Sequence, residues 1–432
     1  MAPFSLFIAC SPSGVPLPGN TDTATENDPN PDADTDLDTD TDTDTDTDTD
    51  TDTDTEPASR AAEYAAFSVE TQVVSGSVRS SALAWNGDRW VATYVNVIGT
   101  HNVYASTILP IGDSLTIGAS LRVDDGDYDA FEAEIAVDDA GQSLVVFEDD
   151  RVGSGTCCRE IYARFLDATG SPFGTSFNLT NRPETEEYLP AIAYEGGTYF
   201  VAWSDDREYA GDDKRLLYGR TVGSDGTLGA ELRIGGDSLW QVFATVANSH
   251  GDGTFLVVWG DYDPVDGTLD AGYRARVIGT DGQPVTGVID IVRHGNQQYD
   301  RPSAAYHPWK GAWLVTWMTP YQINGAWVWP DGATEPLGTL VSTEIGAGAS
   351  RLTYASATNS FLLGWHAWWT NDGFVTALGT DGLPAGNAMS VSATTPPLGS
   401  FYIPVAAADD GSVLAAPSLD YSRITASWYR VP

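Results

Sequence analysis

Residues 190–207 read PAIAYEGGTYFVAWSDDR. Positions 191–194 form a short apolar run, Gly196 and Gly197 supply a turn, and positions 199–203 form a second apolar run that ends in acidic residues. Two short β-prone runs separated by glycine predict a hairpin. The aromatic that closes the second run recurs as Tyr94, Phe147, Trp203, Trp259, Trp317 and Trp365, with Pro417 in the seventh copy. By subtraction the intervals are 53, 56, 56, 58, 48 and 52 residues.

A second half-repeat follows each hairpin. Residues 161–180, IYARFLDATGSPFGTSFNLT, align with 217–235, LYGRTVGSDGTLGAELRIG. Residues 274–291 and 374–392 follow the same pattern. Asp-Gly pairs at Asp225, Asp281 and Asp381 supply turn residues that tolerate positive φ, so they close hairpins. Each repeat is therefore four strands, a to d. Self-similarity at this period, all in strand-like pieces, is the signature of a β-propeller. The seventh copy has strands a (403–408), b (412–416) and c (424–429), then stops without a d strand. Residues 66–74, AFSVETQVV, precede the first a strand and resemble the d strands. The expectation is an all-β, seven-bladed propeller of four-stranded antiparallel blades, closed by the N-terminal strand so that no sheet edge is left open.

The chain divides into three parts. Residues 1–10, MAPFSLFIAC, are apolar and end in Cys10. Ile-Ala-Cys resembles the end of a bacterial lipoprotein signal, which implies lipid attachment at Cys10; no Lys or Arg precedes the run, so a complete signal would need an upstream start. Residues 11–62 form an acidic linker that is almost pure Thr-Asp alternation between Asp34 and Glu56. It has almost no apolar surface to bury and repels itself, so it is expected to be a disordered spacer. Residues 63–432 are the propeller, long enough to bury about three quarters of its unfolded surface without disulfide or metal.

The formal net charge is −40. Positions 1–59 hold 16 acidic and no basic residues, so the rest still carries −24. An acidic domain excludes phosphate-driven nucleic-acid binding and direct adhesion to anionic lipids. No stretch is long and apolar enough to span a bilayer, so the membrane is reached only through the N-terminal lipid. The setting expected is extracytoplasmic, at a bacterial outer membrane or cell surface, as a monomer. Besides Cys10, the chain has adjacent Cys157 and Cys158, which would form a strained vicinal disulfide or remain thiols.

Propeller topology brings the b–c and d–a loops to one face. The b–c loops hold Asp149-Asp150-Arg151, Asp205-Asp206-Arg207, Asp261 with Asp263, and His366, Trp368, Trp369 and Asp372. The d–a loops hold Asp124, Asp127 and Asp129, residues 182–188, and residues 293–301. Aromatics with carboxylates suit a glycan, which stacks on rings and donates its hydroxyls to acids; a protein ligand is the other expectation. Asp124, Asp127, Asp129, Asp261, Asp263 and Asp266 are candidate calcium ligands. Against this, Asp-Asp-Arg recurs at one place in two blades, which points to a structural turn or an inter-blade ion pair.

Signatures of Ser-hydrolase elbows, zincins, phosphate loops and sialidase aspartate boxes are missing from the sequence. The repeat resembles the Trp-x-Asp-x-Arg propeller repeats of bacterial surface and secreted proteins, carried by residues 203–207 and 147–151. That resemblance implies a fold and an extracytoplasmic setting and no activity. The leading expectation is a lipid-anchored, non-catalytic binding propeller. The alternatives are a glycan-active hydrolase or lyase that uses a carboxylate pair on the loop face, and a cell-surface scaffold.

Overall fold

The computed structural model describes residues 56–431 except 67–70, 97–98, 153–157, 209–213, 237–239, 266–267, 294–299, 345, 349, 368–369, 371, 392–402 and 420–422. Cys10 and Cys157, and the linker as far as residue 55, lie outside the described residues.

The architecture is a seven-bladed β-propeller. Blade 2 shows the plan: strands a (Ala130–Val137), b (Ser143–Asp149), c (Glu160–Leu166) and d (Pro172–Asn178) form one antiparallel sheet in the order d-c-b-a. The centres of strands b are apolar because they are covered on both faces; Ser143–Asp149 is buried at every position, with Leu144–Phe147 as its apolar centre. The repeating aromatic closes this strand and is buried each time, from 0 % exposure at Phe147, Trp203 and Trp259 to 6 % at Trp317. The Asp-Gly turns join c to d. Asp225, Asp281 and Asp381 each accept, through Oδ1, the N–H two residues on at 2.9 Å, and the following glycines hold φ of 84°, 77° and 78°.

The core lies between blades. Phe200, Ala202 and Leu217 of blade 3 pack with Phe255, Val257 and Trp259 of blade 4. Trp90 of blade 1 meets Trp428 of blade 7 at 6.2 Å between centroids, and its Nε1 donates to the Ala406 carbonyl at 3.1 Å.

Blade 7 is completed from the other end of the chain. Its strand c (Arg423–Arg430) lies between strand b (Val413–Ala415) and the N-terminal pieces Ala65–Ala66 and Thr71–Ser75. The register runs from Ala65 opposite Arg430 to Ser75 opposite Arg423. Before this strand, Tyr64 Oη meets Thr358 Oγ1 at 2.7 Å and donates to the Gly411 carbonyl, which seats the N-terminal segment against blades 6 and 7.

One local expectation differs. Asp261 and Asp263 are in strand b of blade 4 (Thr254–Val265), which continues as a long hairpin into strand c (Thr268–Gly279) with Asp261 opposite Gly272 and Asp263 opposite Asp270. The ladder simply runs on past the point where the other blades open into loops.

The seven a strands form the channel wall. Each pairs with its own strand b and, among the described residues, has no ladder partner on its inner edge.

Candidate functional site

The acidic loop residues are largely spoken for. Asp149 binds Arg151 twice, with Oδ2 to Nη2 at 2.6 Å and Oδ1 to Nε at 2.9 Å, and Arg151 lies over the Tyr162 ring at 4.2 Å. Asp205 holds Arg207 in the same way; Arg207 Nη1 also reaches Glu231 at 2.5 Å and its guanidinium sits 3.9 Å over Tyr218. Asp150 and Asp206 accept the N–H groups of Asp129 and Glu186 at 2.8 and 2.9 Å. In each Asp-Asp-Arg, then, the first carboxylate clamps the arginine and the second ties the blade's d–a loop to its b–c loop. Blade 4 reproduces the clamp with Asp261 and Arg274 at 2.6 Å.

The other predicted residues are scattered. Asp124 pairs with Arg122 at 2.6 Å and accepts the Val103 N–H at 2.7 Å. Asp129 faces His101 at 3.3 Å, and Asp127 is exposed. Among the described residues no three His, Cys, Asp or Glu side chains converge in a way that would hold a metal ion. His366 is 2 % exposed and packed beneath Gly348, where a Cβ would lie 2.1 Å from the imidazole. The Asp372 carbonyl accepts the Ala367 N–H at 2.8 Å. Cys158 is buried with φ of 80°. Trp368, Trp369 and Asp266 lie outside the described residues.

The structure draws attention instead to the channel at its d–a end. Strands a of blades 2, 3 and 4 each carry a β-bulge, between Phe131 and Glu134, Tyr188 and Ala191, and Val242 and Thr245. Within each bulge one non-glycine residue is left-handed: Glu132 at φ 43°, Leu189 at 54° and Phe243 at 58°. Such backbones cost on the order of 1–3 kcal/mol each and persist only where the surroundings impose them. At Leu189 the imposing group is visible, since its N–H donates to the buried Glu148 at 2.8 Å. Burial pushes the Glu148 carboxyl upward, and Arg159 at 2.8 Å opposes that shift. Arg159 in turn lies 4.4 Å over Phe131 and 5.8 Å over Tyr188.

Charges from three blades meet here. Glu134 of blade 2 accepts from Arg301, at the start of blade 5, and from Arg351 of blade 6 at 2.8 Å. Arg301 is 3 % exposed, and its Nη2 reaches the Pro190 carbonyl of blade 3 at 3.4 Å. Next to it Asp300 is 5 % exposed; Oδ1 accepts the Arg301 N–H at 2.7 Å, and buried Oδ2 has no hydrogen-bond partner among the described residues. Burial lifts the Asp300 carboxyl to about 7, against the opposing pull of the Arg301 N–H, Arg351 and Arg301. The site therefore offers a carboxyl that is half protonated near neutrality, a second carboxylate held by two guanidinium groups, and aromatic neighbours. That combination can donate a proton and bind a polar ligand.

Sequence reasoning placed residues 300–301 in a d–a loop without singling them out and passed over Glu134 and Arg351. A signal was present. When the a strands are aligned on their bulges, the position of Glu134 is held by Ala191 in blade 3 and Thr245 in blade 4.

No protein-family model matches the chain, and a search of curated proteins finds no match. Among solved structures it is similar to the α-L-arabinanase of Penicillium chrysogenum complexed with arabinobiose, at 11 % identity over 84 % of this chain and 97 % of that one, TM-score 0.47. It is similar to the Dos1 propeller at 10 % identity over 86 % and 96 %, TM-score 0.49. It is also similar to the β-propeller domain of the Trilobed protease from Pyrococcus furiosus, at 8 % identity over 81 % and 95 %, TM-score 0.48. These likenesses carry no activity across to this chain.

Proposed function

We propose that the chain is a glycan-active propeller that hydrolyses a glycosidic bond at the d–a mouth of its channel. The observation that carries the reading is Asp300, a buried carboxyl lifted to about 7 beside the Glu134–Arg301–Arg351 cluster. Two acids in unlike environments are the arrangement that divides proton donor from charged partner in glycoside hydrolysis. In the proposed step Asp300 gives its proton to the leaving oxygen as the C–O bond breaks, while water forms the new C–O bond at the anomeric carbon and passes its proton to Glu134, from which Asp300 is reprotonated through solvent. Glu134 is the second carboxylate, and the two arginines orient substrate hydroxyls. The three left-handed bulge residues around the mouth support the assignment, because strain of this kind concentrates at functional sites.

The test is turnover on a panel of glycosides. The expected result is activity whose pH profile has a limb near 7, lost in Asp300→Asn. Turnover that Asp300→Asn leaves unchanged would sink the assignment. A second reading, a non-catalytic module for a glycan or protein ligand, is favoured by the burial of Asp300 Oδ2; binding without turnover by the wild-type chain would select it.

For its setting we propose an extracytoplasmic protein tethered through lipid on Cys10, with the acidic tract as spacer. Expressed with a complete signal, it should partition into detergent, and Cys10→Ser should release it. A variant that stays with the membrane would refute the tether.

A further inference from the structure

The opposite end of the channel, where the a strands turn into the b strands, opens into a cavity of about 640 Å³. Aromatic side chains from four blades stand at this end: Trp85, Tyr194, Tyr306 and Tyr354. Each packs against the aromatic that opens its own strand b, with centroid separations of 4.8 Å for Trp85–Trp90, 4.9 Å for Tyr194–Tyr199, 5.0 Å for Tyr306–Trp313 and 5.1 Å for Tyr354–Phe361. The three phenols are also pinned by their hydroxyls. Tyr194 donates to Asp139 at 2.9 Å, Tyr306 to Asp252, and Tyr354 to Asn359 at 2.6 Å. Asp139 and Asp252 belong to the neighbouring blades 2 and 4. Tyr306 (2 % exposed) and Tyr354 (9 %) are sealed into the core between blades, so the ring surface left to a ligand belongs to half-buried Trp85 and Tyr194. These two rings are fixed before any ligand arrives, which removes an ordering cost that mobile side chains impose on binding.

The remaining wall decides the ligand's chemistry. Only His250 and Asp409 among the lining residues are ionisable, so a charged ligand finds almost nothing to pair with. A purely aliphatic ligand is disfavoured for a different reason. Part of the wall is already bonded by the neighbouring blade: the Leu352 N–H donates to Ser303 Oγ at 2.7 Å, the Ala407 N–H to Thr353 Oγ1 at 3.3 Å, and the Ala406 and Asn248 carbonyls accept from Trp90 and Trp313. Covering the edge N–H and C=O groups that remain with hydrocarbon costs roughly 1–3 kcal/mol per group. The fitting ligand is uncharged, has an apolar face for the rings, and carries hydroxyls for the backbone edges.

We infer that this cavity is a second carbohydrate site, selective for a neutral oligosaccharide and separate from the Asp300 mouth. It goes beyond the hydrolase reading and holds whether or not turnover occurs.

The experiment is calorimetric titration with cellotetraose, xylotetraose and arabinotetraose, with galacturonic acid tetramer as the charged control, while the fluorescence of Trp85 is followed. Wild type and Asp300→Asn should both bind at least one neutral tetramer, with a change in tryptophan emission and an affinity that the Asp300 substitution leaves unchanged. Tyr194→Ala should weaken binding by about tenfold or more, whereas Tyr194→Phe, which keeps the ring, should weaken it less. Because Tyr194→Ala also loosens packing, Asn248→Trp, which narrows the cavity from the rim, serves as the second variant and should abolish binding. No binding of any neutral tetramer at about 10 mM would overturn the proposal. So would equal affinity for the charged tetramer, or binding lost in Asp300→Asn but kept in both cavity variants.

Discussion

Arg351 Nη2 lies 2.8 Å from Glu134 Oε1, although 217 residues separate them in the chain. With Arg301 on the same oxygen, one carboxylate joins blades 2, 5 and 6 across the channel. Charges so placed are costly to leave unpaired and specify how the blades are arranged around the axis.

Glu134→Gln should therefore lower stability by about 2–3 kcal/mol, because it removes a carboxylate that Arg351 and buried Arg301 both bind. The denaturant midpoint should fall with no change in slope. A loss below about 0.5 kcal/mol would show that the arginines find other partners.

Stability should fall as pH rises. Burial raises the Glu187 carboxyl to about 8, with Asp205 and Glu160 adding to the shift and Thr185 and Arg207 opposing it. Asp300 is raised to about 7, again chiefly by burial. In both cases the native state holds a proton that the unfolded chain gives up at lower pH. The stabilisation is complete below the unfolded values near 4 and is lost as pH passes through 7 and 8. Each group contributes at most about 1.4 kcal/mol per pH unit between those limits. Denaturant titrations at about pH 5 and pH 9 should show the acidic sample to be the more stable, and Asp300→Asn should flatten the dependence. Equal midpoints would contradict the burial of these acids.

The two Asp-Asp-Arg clamps should differ in strength. The Arg207 side chain is 11 % exposed and its Asp205 partner 0 %, whereas Arg151 is 20 % exposed. Arg207→Ala should cost about 3 kcal/mol, and Arg151→Ala less, since water more readily replaces the lost charge. Differential scanning calorimetry ranks them; the reverse order would mean that the loops, and not the clamps, set the cost.

Closure is testable by truncation. A chain lacking residues 1–76 loses Tyr64 and both N-terminal strand pieces, and leaves strand c of blade 7 with an open edge. Relative to a chain lacking residues 1–56, its melting temperature should drop by more than about 10 °C or it should fail to fold. Similar melting temperatures would refute closure by this strand.

Fold and site were legible to different degrees. The blade count followed from Trp203 and its counterparts because burial between blades favours a large aromatic side chain there, present in six of the seven copies, with Pro417 in the last. Closure followed from a missing strand at one end and a spare one at the other. The recurring Asp-Asp-Arg pointed to a turn or an ion pair between blades; the arginines are held by the aspartate two residues earlier, within one blade, because the b–c turn brings Arg151 and Arg207 back onto Asp149 and Asp205. The Glu134 cluster could not be read the same way, because its members come from three blades and meet only when the ring closes. Nor do the bulges at Glu132, Leu189 and Phe243 leave a glycine to mark them. The cavity at the far end stayed hidden because Tyr194, Tyr306 and Tyr354 look like ordinary strand residues until a common axis is drawn through them.

The pairing of Thr71 with Ala426 has a temporal meaning as well. By subtraction 355 residues separate them, and at roughly 5–20 residues per second the ribosome takes on the order of 20–70 s to cover that distance. During that time the earlier strand is already outside while its partner does not yet exist. The first six blades can assemble as they emerge, but the ring cannot lock until strand c of blade 7 has been made. The exposed early strand therefore marks a nascent chain as unfinished, the state in which a chaperone that recognises extended apolar segments would hold it.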